Sequence, residues 1–68
     1  MPKAETSRLV EAVETLTGQV PPASMVLTGK ILVALREGRV DRLTDEPNVE
    51  FARRALKALG VPVLEGGR

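Results

Sequence analysis

The chain has no cysteine, no histidine, no tryptophan and no tyrosine, and its only aromatic residue is Phe51. Without cysteine there is no disulfide framework, and without cysteine or histidine no zinc site of the usual kind. The same absences remove thiol nucleophiles and imidazole general bases. They also leave a single-stranded nucleic acid almost nothing to stack on. An excess of one charge is missing too. The formal net charge is +1, too small to imply nucleic acid or anionic lipid by itself. The longest uninterrupted apolar run is Ile31–Leu35, far short of the roughly 18 residues of a membrane span. No apolar stretch follows Met1-Pro2-Lys3-Ala4-Glu5. A cytoplasmic protein, with neither a secretory signal nor membrane attachment, is expected.

What is present is ordinary globular composition, with 43% apolar and 28% charged residues in 68 positions. That supports folding rather than disorder. The length allows one small domain, spanning 1–68. A chain of this size buries only about 60% of its unfolded surface. Disulfide and metal staples being closed to it, dense helix packing or burial against another chain must supply the rest. The core must be built from Leu, Val and Ala.

Three segments carry helical periodicity, separated by Gly and Pro, and no internal repeat is visible. The first spans about 4–17. Leu9, Ala12, Val13 and Leu16 form one stripe, with Gly18 as terminator and Pro21-Pro22 beyond it. The second spans about 23–37, with Ser24 as candidate N-cap and Gly38 after its end. Leu27, Ile31, Ala34 and Leu35 make its main face. Val26 and Val33 fall on the opposite side beside Gly29, with Met25 and Leu32 between. The third spans about 46–59, capped by Thr44 or Asp45, with Pro47 in its first turn. Val49, Ala52, Leu56 and Leu59 line it, extended by Phe51, Ala55 and Ala58. Leu56-Lys57-Ala58-Leu59-Gly60-Val61-Pro62 predicts a Schellman ending with Gly60 left-handed. In the connector, Val40 and Leu43 are expected to pin the loop to the core through one helical turn. An extended apolar tail, Val61 to Leu64, leads into a flexible Glu65-Gly66-Gly67-Arg68, so the tail covers 61–68.

Candidate chemistry is sparse. Thr28-Gly29-Lys30 is similar to the end of a phosphate-binding loop. That motif needs glycine where Ser24 stands and Ser or Thr where Ile31 stands, in an α/β setting this length does not offer. The carboxylate pairs Glu11/Glu14 and Asp45/Glu46 suit a solvated helix face and a helix start better than acid–base catalysis. No loop has calcium-ligand spacing. No enzyme activity, cofactor or metal is expected.

Two surfaces remain. Arg53, Arg54 and Lys57 share the outer face of the third segment and could meet DNA phosphates or a guanine edge. The connector is too long for a tight helix-turn-helix, and an ordinary solvated face with a Glu50–Arg54 pair explains the same residues. The second surface is the extra apolar face of the middle segment. In a monomeric three-helix domain each helix should turn a polar face outward, and Val26, Gly29 and Val33 do not fit. The reading is an all-α three-helix domain with the middle segment central and a short extended tail, associating as a helix-mediated dimer. Met25, Val26, Gly29, Val33, Val63 and Leu64 are its candidate oligomer or partner interface. The expected function is a non-catalytic protein-interaction module, binding itself and another protein. The alternative is a small DNA-binding regulator using Arg53, Arg54 and Lys57.

Overall fold

A computed structural model describes residues 2–64, with side chains from Thr6 onward. It contains three helices, α1 (Pro2–Thr17), α2 (Ala23–Arg36) and α3 (Asn48–Ala58), and no strand among the described residues. The expected all-α three-helix class is therefore correct. Residues 65–68, read above as the flexible end of the tail, lie outside the described residues.

The stripe of α1 enters the core intact: Leu9, Ala12, Val13 and Leu16 are all buried. They meet Phe51, Ala52, Ala55 and Leu56 of α3, and Ile31 and Ala34 of α2. Phe51 is the largest fully buried side chain. The alanines let helix axes approach closely, since interaxial distance is set by the side chains at the contact. α1 packs most extensively on α3, then on α2, whereas α2 and α3 meet over the least surface. The central helix is thus α1, not α2 as expected. A helix apolar almost all round is usually buried on more than one side. In α2 the surplus apolar residues instead face outward.

Helix ends follow local chemistry. Gly60 has φ +80°. Its N–H donates to the Lys57 carbonyl at 3.1 Å, and the Val61 N–H to the Leu56 carbonyl at 2.9 Å. These are the paired bonds of a Schellman motif. Gly38 closes α2 in the same way: its N–H reaches Leu35 and that of Arg39 reaches Ala34. This ends α2 at Arg36, one residue before the expected boundary. Residues 61–64 then run back over the end of α1, where the Leu64 N–H donates to the Leu16 carbonyl at 2.6 Å.

The helix starts differ from expectation. Ser24 is not the N-cap of α2; Pro22 holds that position without a side-chain cap. Ser24 lies two residues further in, fully buried in the first turn, and its Oγ donates to Glu14 Oε2 at 3.1 Å. Thr28 is buried beside it, with Oγ1 donating to the Ser24 carbonyl at 2.8 Å. Small hydrogen-bonded side chains here let α1 approach, so the inner face of α2 is Ser24–Thr28–Ile31–Ala34. Leu27 and Leu35 are only half-buried at its edges. α3 begins at Asn48, two residues later than expected, with Pro47 as N-cap. Neither Thr44 nor Asp45 caps it. Asp45 has φ +64° and sits in a turn closed by the Glu46 N–H on the Leu43 carbonyl. Asp tolerates that conformation better than most residues. Val40 is buried, but Leu43 is exposed and no helical turn joins them. Val49 and Ala58 are exposed at the margins of α3, because its buried arc centres on Phe51, Ala55 and Ala52.

Candidate interaction surface

The outer side of α2 is the conspicuous surface. Met25 is 58% exposed, Val26 57%, Val33 44% and Leu32 39%. Such residues scattered singly mean little, but here they share one helix. Beside them runs an open groove of about 570 Å³ lined by Val26, Gly29, Lys30, Val33, Arg39, Leu59 and Val61. α2 forms one wall. The other is the end of α3 and the first residue past Gly60, so the Schellman turn is what brings Leu59 and Val61 to the groove. Gly29 forms part of the floor. A Cβ placed on it would have no heavy atom within 4 Å.

Of the six interface candidates, Val26, Gly29 and Val33 come together along this groove. Met25 lies on another flank of α2, in a smaller depression it shares with Val10, Glu11, Glu14 and Pro21. Val63 packs partly against the core. Leu64 is 61% exposed and sits at the end of α1, where a Cβ on Gly18 would come within 3.3 Å of its Cδ1. Neither Val63 nor Leu64 lines the groove. Leu59, Val61, Lys30 and Arg39 do; sequence reasoning places Leu59 on the inner face of the third segment and Val61 in the tail, and singles out neither cation for this surface. Val61 was legible only as the apolar residue that follows a terminating glycine.

The basic face of α3 is organised differently from the expectation. Arg54 does not pair with Glu50. Its Nε and Nη2 donate to the two carboxylate oxygens of Glu46, both at 2.8 Å, and Nη2 also donates to the Asp41 carbonyl. Glu50 accepts from Arg53 Nη1 at 3.0 Å instead. The hydrogen bonds from Arg54 hold the Glu46 carboxyl at about 2, against 4.5 ordinarily. Desolvation opposes that shift, while the Leu43 N–H and the charges of Arg54 and Arg42 add to it. The Arg54 guanidinium is shifted upward by the same contact. Arg42 completes the arrangement. It donates to the Glu46 carbonyl and to Asn48 Oδ1, and lies 4.9 Å from the Phe51 ring centroid. Arg42 and Arg54 thus fasten the connector onto α3. The partners stand eight residues apart, with Glu46 just before α3, a separation beyond the i, i+4 neighbours that helical periodicity pairs. Lys57 is exposed on the same face.

Thr28-Gly29-Lys30 lies inside α2, with the Thr28 hydroxyl turned to its own backbone. Glu14 is the acceptor for Ser24. Among the described residues no group of three acidic, histidine or cysteine side chains could hold a metal ion. No described helix is long and apolar enough to cross a membrane. Comparison with protein-family models, curated proteins and solved structures finds no match to this chain.

Proposed function

We infer that the protein is a non-catalytic helical interaction module that buries the outer face of α2 against other polypeptide chains and dimerises through it. One observation carries the reading: α2 turns Met25, Val26, Leu32 and Val33 to solvent while burying Ser24 and Thr28. Burying apolar area of this kind is worth about 25 cal/mol per Å². A small core with no covalent staple has much to gain from it. The location that goes with this reading is the cytoplasm.

The DNA-binding alternative has weaker support. Arg54 would have to leave Glu46 and the Asp41 carbonyl to reach a phosphate, and Arg53 would have to leave Glu50.

The test is solution mass. Light scattering after gel filtration at tens of micromolar should give about twice 7.3 kDa. Val33→Glu should return the mass to that of one chain with helix content intact, because Val33 is outside the core. Val20→Glu, at a more exposed position in the α1–α2 loop, should leave the dimer unchanged. A wild-type monomer at that concentration would defeat the reading.

A further inference from the structure

The groove beside α2 has a charge character that the exposed face alone does not reveal. Its walls are apolar, with Val26 and Val33 opposite Leu59 and Val61. Among the described residues its charged lining is Lys30 and Arg39, with no carboxylate. Lys30 makes no side-chain hydrogen bond or ion pair among the described residues. Arg39 is held by Glu37 alone at 2.9 Å, an exposed pair that a competing carboxylate can replace. Gly29 contributes no side chain to the lining. That residue has ordinary helical backbone, and a Cβ on it would meet no other part of the described fold, so packing among the described residues does not call for a glycine, which weakens a helix relative to alanine.

We propose that this groove receives an amphipathic helix of another protein, carrying an apolar stripe flanked by carboxylates. The stripe enters between α2 and the end of α3, over Gly29, and the carboxylates meet Lys30 and Arg39. A helix fits better than an added strand because the described residues present no sheet edge. Helix-in-groove binding uses anchors at i, i+3, i+4 and i+7. A second copy of the chain fits this groove less well, since a two-fold interface brings the same patch from both sides and sets cations against cations. The proposal rests on α2 being an interaction face. It adds that the acidic helix displaces the self-associated form.

The experiment uses two labelled synthetic peptides of about four helical turns. Both carry leucine at i, i+3, i+4 and i+7; the flanking positions are glutamate in one and lysine in the other. Fluorescence anisotropy with the full chain should show the glutamate peptide binding about tenfold tighter, with the preference shrinking as salt rises. Lys30→Glu, which leaves Arg39 facing one new carboxylate, should erase the preference. Gly29→Leu should abolish binding of both peptides while the chain remains helical and melts no lower. Equal affinity for the two peptides, no binding of either, or indifference to Lys30→Glu would each overturn the proposal. If the peptides fail but the Val33-dependent dimer persists, the occupant is a second copy and the interaction reading survives. If the dimer is absent as well, both readings fall.

Discussion

α2 is more apolar than α3, yet it leaves large apolar side chains in water. α3 places Phe51, Ala52, Ala55 and Leu56 inside and covers its outer face with charges held in ion pairs. α2 does the reverse over part of its length. Ser24 and Thr28 are buried against α1, while Met25, Val26, Leu32 and Val33 face out. Both helices are stably seated, because the buried hydroxyls of α2 have hydrogen-bond partners and so escape the desolvation penalty of an unpaired polar group. The contrast shows that apolar content does not measure how much of a helix the core uses. What counts is which arc meets the neighbouring helix, and α1 meets α2 along an arc of small residues.

The largest expected effect breaks the α3 side of this comparison. Phe51→Ala should destabilise the chain by about 3–5 kcal/mol, enough to unfold much of a domain this small. Met25→Ala on α2 should change the unfolding of the single chain by no more than about 0.5 kcal/mol. Urea titrations followed by circular dichroism, at concentrations low enough to keep single chains, would show the difference. Similar losses at the two sites would mean that the outer face of α2 contributes to the core.

An intermediate effect compares two glycines. Gly60→Val should cost more than about 1 kcal/mol, because a β-branched residue fits φ +80° badly whatever the space around it. Gly29→Ala should stabilise the single chain by about 0.5–1 kcal/mol, since it relieves a helical glycine and its Cβ meets nothing. Thermal melts would report opposite signs. A stabilised Gly29→Ala chain that associates less well would tie that glycine to the interface. A destabilised one would mean the glycine is required by the fold itself.

The smallest effect concerns the connector. Glu46 has its carboxyl held at about 2 when folded, against 4.5 ordinarily. Its contribution is therefore present above about 4.5 and is lost as the pH falls from there toward 2. Glu46→Gln should flatten the acid arm of the stability–pH curve over that window and leave α2 untouched. An unchanged acid arm would mean that the Arg54 pair persists in the unfolded chain or contributes nothing. Solvent screening at the exposed Arg54 keeps the effect modest.

Local signals were legible where a few neighbouring residues settle the backbone. The α1 stripe and the left-handed glycines at 18, 38 and 60 are of this kind. So is the exposure of Val26 and Val33, which follows from their place opposite Ile31 on a helical wheel. Ser24 shows the limit. As a helix-start serine it reads as a cap, and only the approach of Glu14 from another helix turns it into a buried donor. Glu50 likewise has Arg54 one turn away, yet Arg54 goes to Glu46, which the connector brings alongside with both carboxylate oxygens presented. Val61 becomes a groove wall only because the turn at Gly60 aims it toward α2.

Three helices, the glycines that end them, and a middle helix with more apolar surface than one face can bury are all readable from the residues in order. These follow from periodicity and from backbone energetics that act within a turn or two of the chain. Only the tertiary structure decided that α1 and not α2 lies at the centre, that two hydroxyls go inside while two valines stay out, and that Lys30, Arg39, Leu59 and Val61 border one groove. Each of those depends on which arcs of distant helices come into contact. Contact across the fold is decided by the total burial of all three helices at once, a quantity no local stretch of residues contains.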